Sequence, residues 1–287
     1  MKASGEIRSG VLYVVATPIG NLEDITLRAL RVLKEADLIA CEDTRHTRKL
    51  LDHYGIAAQT VSYHEHNEAA RAEELMQKLE QGARIALVSD AGMPGISDPG
   101  YRVVALAVAR GIPVVPVPGA AAAVAALAVS GLPTDSFRFG GFLPARKGAR
   151  REAVERLRDS RSTEIFYEAP HHLKDALEDV VEVLGAARPV VIAREITKLH
   201  EEFLRGRAGE VLQQLQDRTI RGEVTLLIGK SDAARAEDAA APADLAARLR
   251  DVMRQRQLDQ KAALKIVAKE LGISRSEAYR RLQRGKR

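Results

Sequence analysis

The chain has one cysteine, Cys41, in 287 residues. A disulfide framework and a cysteine-rich metal site are both excluded, and a reducing cytoplasm is the expected setting. Long apolar runs are missing as well. The longest, Ala120 to Val129, is alanine-rich and falls far short of the about 20 residues a spanning helix needs, so no membrane segment is expected. The start of the chain carries Lys2 and Arg8 but no apolar core before Val11, which argues against export. Neither a G-x-G-x-x-G fingerprint nor a P-loop occurs, so dinucleotide and nucleoside-triphosphate binding have no local support.

What is present suits two α/β lobes with an appendage. The length exceeds one small core, and the hydrophobic fraction of 46% is that of a globular protein. The net charge of +5 is unevenly spread. From Asp244 to Arg287 there are 13 Lys and Arg against 5 Asp and Glu, a net +8 that leaves −3 for the rest. A phosphate backbone would be met there, unless the segment is simply a solvated helical tail.

Short β-rich runs alternate with helical patterns from Leu12 onward. Strands are expected at Leu12–Ala16, Leu38–Glu42, Gln59–Tyr63, Arg84–Ser89 and Val114–Val117, with helices such as Thr26–Ala36 and Glu68–Glu80 between them. This alternation implies a mainly parallel sheet. Gly131-Leu132-Pro133 breaks the pattern and reads as the link to a second lobe. There, strands are expected near Phe137–Phe142, Glu164–Tyr167, Val190–Arg194, Glu202–Arg205 and Val224–Ile228, and helices at Arg150–Asp159, Leu173–Leu184 and Ala208–Gln216. Only one helix separates the last two strands, which points to a mixed sheet. Lys230–Ala243, rich in alanine and charge with little to pack, reads as a linker. The expected division is a first lobe at 1–131, a second at 132–230, the linker at 231–243 and a basic extension at 244–287.

In the extension, Leu245, Leu249, Val252 and Met253 fall at helical spacing. A second helix through Ala262, Leu264, Val267, Ala268 and Leu271 ends at Gly272, suited to a left-handed cap. Ser274 with Glu277 three residues on forms a capping-box pattern. The layout is that of a helix-turn-helix, or more blandly of a helical hairpin.

Ligands in open α/β sheets bind beyond the carboxyl ends of strands, so the turns there define the expected site. Thr17-Pro18-Ile19-Gly20-Asn21-Leu22-Glu23-Asp24 follows the first strand, where Asp24 or Thr26 can cap the next helix. Cys41-Glu42-Asp43-Thr44-Arg45-His46-Thr47 concentrates more acids, hydroxyls and bases than a cap requires. The stretch from Ser89 to Gly100, SDAGMPGISDPG, holds three glycines and two prolines and makes a rigid backbone that can approach a ligand closely. Asp98 within it can cap the following helix. Val117-Pro118-Gly119-Ala120-Ala121-Ala122 opens a helix with small residues and leaves room beside it.

The ordered set TPIGNLEDITLRAL, ACEDTRHT, SDAGMPGISDPG, VPGAAAAV, IFYEAPHHL, AREITKLHEE and GEVTLLIG resembles the small-subunit ribosomal RNA methyltransferase I branch of the tetrapyrrole-methylase superfamily. The resemblance covers roughly Val11 to Gly229, and the basic tail is similar to that branch's extension. One departure is His172, where the branch usually carries arginine. The resemblance implies a two-domain class III methyltransferase fold of α/β lobes with a C-terminal helix-turn-helix-like extension. It implies S-adenosylmethionine as methyl donor and the 2′-hydroxyl of a cytidine in the decoding region of 16S rRNA as acceptor. The small ribosomal subunit and a second copy of the chain follow as partners.

Carried over residue by residue, donor contacts are expected at Ile19, Gly20, Asp90, Met93, Ala120 and Ala121, and in the second lobe at Glu168, Ala169 and Thr225, with Tyr167, Pro170, Glu223 and Val224 beside them. Displacement at a sulfonium chiefly needs alignment and removal of a poorly acidic proton. Asp43, Glu42 and His64 are candidates for base or hydroxyl orientation, with Arg45 or Lys198 as electrostatic partners. No metal is needed, although His64-Glu65-His66 could hold one adventitiously. Arg275, Arg280 and Arg281 are the expected RNA contacts of the tail. Two other functions compete: methylation of a small tetrapyrrole, which leaves the basic tail unexplained, and a nucleic-acid-binding regulator that senses the methyl donor.

Overall fold

The structure, a computed structural model, describes residues 10–231, 245–271 and 273–284. In the first lobe β1 (Val11–Val15), β2 (Leu38–Cys41), β3 (Thr60–Ser62), β4 (Arg84–Val88) and β5 (Val114–Val117) form a parallel sheet in the order β3-β2-β4-β1-β5. Helices α1 (Leu27–Glu35) and α2 (Thr44–His53) cover one face, packing Val32, Leu33 and Leu51 on Val15, Ile39 and Val88. Helices α3 (Glu68–Glu80) and α4 (Tyr101–Ala109) cover the other, packing Leu75, Leu79 and Val103 on Leu12, Ile85 and Leu87. Cover on both faces is why these strands read as nearly continuous apolar runs. Thr26 caps α1, its Oγ1 accepting from the Ala29 amide at 3.1 Å.

The second lobe is the mixed sheet expected. Strands β6 (Phe137–Phe142), β7 (Thr163–Glu168), β8 (Pro189–Arg194), β9 (Glu202–Arg207) and β10 (Val224–Ile228) run in the order β6-β7-β10-β8-β9. Only β6 and β7 are parallel; β10 is antiparallel to both its neighbours. Alternation assigns its faces. Val190, Ile192, Leu226 and Ile228 meet α6 (Lys147–Glu155), α7 (Leu173–Leu184) and α8 (Ala208–Leu215), while Val191, Ala193, Ile165 and Leu227 meet α5 (Ala122–Ser130). Helix α5 buries Ala123, Ala126 and Leu127 there together with Ile19, so it joins the two lobes.

In the extension, α9 (residues 245–256), α10 (Gln260–Glu270) and α11 (Arg275–Arg284) share a separate core of Leu245, Leu249, Val252, Leu264, Val267, Ala278 and Leu282. Ser274 Oγ accepts from the Glu277 amide at 3.1 Å, as its capping pattern requires. Gly272 and most of the expected linker lie outside the described residues. Among those described, no helix is long and apolar enough to cross a membrane.

Three expectations fail. Asp98 does not cap α4, whose N-cap is Gly100 without a side-chain bond. Helix α6 starts at Lys147 and has ended by Arg156, where tighter bonds from Leu157 to Val154 and Arg158 to Glu155 take over. Lys230 is no linker residue: it is buried and pairs with Asp135 at 3.1 Å, and the Ser231 amide bonds to the Ser160 carbonyl.

Candidate active site

A cavity of about 640 Å³ opens between the lobes. From the first lobe it takes Ile19 after β1, the stretch from Ala91 to Asp98 after β4, and the first residues of α5. The turn and the loop are stapled together. Thr17 and Gly92 exchange backbone bonds of 2.9 and 3.1 Å, and Thr17 Oγ1 donates to the Ser89 carbonyl at 3.0 Å. Ser97, in the same loop, sits at φ 61, a conformation L-residues hold only when the surroundings impose it. Helix α5 begins without a side-chain cap, and its start lines the cavity with the small apolar side chains of Ala121, Ala122, Ala123 and Val124.

The second lobe supplies an aromatic wall. In a regular strand Phe139 and Phe142 would face opposite sides, yet both pack edge-on against Tyr167, at 4.8 and 5.9 Å. The register shifts between them, with Gly141 at φ +69, and this bulge turns both rings to one side. Gly140 is needed for a separate reason: a Cβ there would lie 2.3 Å from the Phe166 ring. Glu168, at the end of β7, lines the cavity and is 5% exposed. Its Oε1 accepts from the Ala169 amide at 3.0 Å, but its Oε2 is buried without a hydrogen-bond partner. Burial pushes this carboxyl above its ordinary range.

Carboxylates dominate the polar lining. Among the described residues that line the cavity, Asp98, Glu168 and Glu223 are acidic and none is Lys or Arg. Burial, reinforced by the charge of Glu42, pushes Asp98 up to about 6. Glu42 is itself raised by burial and by the charge of Asp90. Asp98 escaped the sequence reading because Asp-Pro-Gly before a helix has the form of a cap. The informative signal was its place in a loop already too rigid for a connection.

The expected catalytic residues divide into separate groups. Asp43 caps α2, accepting from the Arg45 amide at 2.8 Å and from its guanidinium at 2.7 and 3.1 Å. These bonds hold the Asp43 carboxyl well below the usual carboxylate range, which makes it a poor proton acceptor. Its amide donates to Asp90 Oδ1 at 3.2 Å, so Asp90 braces the α2 turn and is not among the cavity-lining residues. His64 bonds to Asn67 through Nε2 at 3.2 Å and buries Nδ1 without a partner. The rings of His64 and His66 are 6.0 Å apart. His172 starts α7 with no side-chain cap bond, its ring 4.1 Å from that of His171.

Lys198 pairs with Glu195 at 2.9 Å and Glu223 at 3.2 Å, in the loop that closes one end of the cavity. Gly20 lies against that loop, and the Asn21 amide donates to Thr197 Oγ1 at 3.0 Å. Of the expected donor contacts, Ile19, Met93, Ala121, Glu168, Ala169 and Thr225 line one cavity; Gly20, Asp90 and Ala120 stand behind it. In the tail, Arg280 and Arg281 both pair with Glu277, at 2.7 and 2.9 Å, and only Arg275 and Arg280 face the groove beside α10.

Residues 11–212 match the family described as Tetrapyrrole (Corrin/Porphyrin) Methylases. The chain is 57% identical over 219 residues to the ribosomal RNA small subunit methyltransferase I of Halalkalibacterium halodurans, covering 76% of this chain and 75% of the relative. It is 46% identical over 279 residues to the protein of the same name in Escherichia coli O157:H7, covering 96% of each. A cobalt precorrin-4 methyltransferase shares the fold, with a TM-score of 0.61 at 17% identity over 79% of this chain and 98% of that one.

Proposed function

The chain belongs to the tetrapyrrole methylases and is a small-subunit ribosomal RNA methyltransferase, and from this premise we propose that it moves a methyl from S-adenosylmethionine, held between its lobes, to the 2′-hydroxyl of a cytidine ribose in 16S rRNA. The observation that carries the proposal is the interlobe cavity. Its volume suits a nucleoside-sized ligand. Its apolar and aromatic walls suit an adenine and a thioether chain, and its acidic lining suits a cation. Glu168 Oε2 is a buried acceptor in need of a donor, which an amino or hydroxyl group of that ligand satisfies.

Bound there, S-adenosylmethionine supplies an electrophilic methyl carbon on a sulfonium. The protein's own groups then have to orient the ribose oxygen and take its proton. Asp98, with Glu42 beside it, is the carboxylate we assign to that task, because it lines the cavity and burial pushes it up to about 6. Phe139, Phe142 and Tyr167 keep water from the reacting atoms. Arg45, 88% exposed at the side chain, reaches outward to a phosphate. The basic tail adds salt-dependent grip on the RNA, about 0.7 to 0.9 in salt slope per phosphate neutralised. The proposal takes the small ribosomal subunit as partner, a two-fold homodimer as working form and the cytoplasm as location.

The test is transfer of radiolabelled methyl to isolated small subunits, with free 16S rRNA and a uroporphyrinogen as parallel acceptors. Digestion of the product should yield 2′-O-methylcytidine. Label recovered on a base, or only on the tetrapyrrole, overturns the proposal.

A further inference from the structure

The tail holds a second concavity, a groove of about 770 Å³ between the start of α10 and the outer face of α11. Leu264 forms its floor and Tyr279 stands in its wall, 54% exposed. Gln260 and Gln283 bring carboxamides, Ser276 a hydroxyl, and Lys261, Arg275 and Arg280 positive charge. Ala278 and Leu282 point into the tail's core, and Ser276, Tyr279, Arg280 and Gln283 project from the outer side of the same helix, with Arg275, two turns before Leu282, at the edge between core and groove. Lys261 and Arg275 have no ion pair among the described residues.

We propose that this groove binds an unpaired nucleotide of a single-stranded RNA segment, with its base stacked on Tyr279 and its phosphates held by Lys261, Arg275 and Arg280. The chemistry of the lining fits each part of that ligand. A phenol face stacks on any base, carboxamides bond to base edges, and the three cations complement a phosphodiester. The layout of a helix-turn-helix suggests a duplex instead, with α11 as the inserted helix. An A-form duplex excludes that geometry, because its major groove is too deep and narrow for side chains to read. A convex duplex backbone also leaves a concavity with an apolar floor unfilled, whereas a splayed base fills it. The proposal rests on the ribosomal RNA reading above and adds what the tail recognises: an exposed strand rather than a helix.

The experiment uses the full chain and a short fluorescein-labelled RNA of mixed sequence, either single-stranded or annealed to its complement. Anisotropy titrations compare wild type with Tyr279→Ala, Tyr279→Phe and Arg275→Ala, with circular dichroism as a check on folding. The single strand should bind more tightly than the duplex. Tyr279→Ala should weaken it roughly tenfold, and Tyr279→Phe, which keeps the ring, should restore most of the loss. Arg275→Ala should weaken binding and lower the salt slope by about one phosphate contact. Equal binding by Tyr279→Ala and wild type overturns the proposal, as does a duplex bound more tightly than the strand. Methyl transfer to small subunits by the wild type is scored separately. Its absence overturns the underlying reading, even where strand binding still depends on Tyr279.

Discussion

The phenol of Tyr63 donates to the carboxylate of Glu68 at 2.8 Å and accepts from the amide of Val103 at 3.2 Å. Glu68 Oε1 in turn accepts from the amides of Gly100 and Arg102, each at 3.4 Å. Two residues from before and within α3 thus do for α4 what its own N-cap, Gly100, cannot do. They also fix the far end of the loop that lines the cavity. Tyr63→Phe should cost about 1 kcal/mol and Glu68→Ala about 1 to 2 kcal/mol, as for other lost bonds to buried or capping groups. Because the two act as one unit, the double variant should cost less than the sum. Urea denaturation of the four proteins decides it; strict additivity would mean that the residues work independently.

Strands such as β1, β4 and β10 were legible because they are mostly apolar runs, and the helices because their stripes are long. The Ser274 cap was legible because it is local. What escaped depends on distance in the chain. Nothing near Asp98 says that a carboxylate 32 residues before Gly100 takes over the capping of α4. Nor does the sequence announce Glu195 and Thr197 at φ 52 and 67, where Glu195 is tied to Lys198 and the Glu223 amide, and Thr197 to the Asn21 amide of the other lobe. The paired glycines of Phe137–Phe142 did mark a bulge, and the turned aromatic wall could have been read from them. The two ends of the cavity could be named in advance; the division between lining residues and supports could not.

Asp98 makes a prediction about pH. Its ordinary value is 3.8, and in the fold it stands at about 6. Between those values the folded protein binds more protons than the unfolded chain, so this residue's contribution to stability falls as pH rises through the window. The full cost is present above about 6. Asp98→Asn should therefore stabilise the fold at pH 7, by on the order of 1 to 2 kcal/mol after allowance for partial exposure. At pH 3.5 it should change little. If the same carboxylate takes the ribose proton, turnover should drop by about a hundredfold or more. Thermal melts at both pH values, beside single-turnover rates, test the two halves. An asparagine variant whose gain over wild type is no larger at pH 7 than at pH 3.5 would remove the buried charge from the account.

The pairing of Asp43 with Arg45 predicts the opposite pH sense. Its carboxyl lies below the unfolded value, so its contribution is complete at neutral pH and is lost only as the medium turns strongly acid. Asparagine is nearly as good a cap as aspartate, so Asp43→Asn should keep α2 while releasing Arg45. Both Asp43→Asn and Arg45→Ala should leave donor affinity close to wild type and lower turnover on ribosomal RNA. Calorimetry with the donor and rates with small subunits separate these effects. Wild-type turnover in both variants would reduce the pair to a helix cap.

The junction of the lobes makes the sharpest steric prediction. A Cβ at Gly20 would lie 2.4 Å from Lys198 Cγ, 2.7 Å from Thr197 Oγ1 and 2.9 Å from the Ile196 carbonyl oxygen. The lysine can swing aside. The carbonyl cannot, because it precedes Thr197, already held in a left-handed conformation. Gly20→Ala should therefore push the 195–201 loop away from the first lobe and separate Ile19 from Ile196, which line the cavity from opposite sides. We expect a loss of about 1 to 3 kcal/mol of stability, the range for overpacking, and roughly tenfold weaker donor binding. Thr197→Gly removes both the blocking hydroxyl and the backbone strain, so combining it with Gly20→Ala should recover much of the affinity. RNA binding by the tail should be the same in all three. Calorimetric titration across the set is decisive: a Gly20→Ala protein that binds the donor as wild type does would show that the cavity tolerates a wider gap than its packing implies.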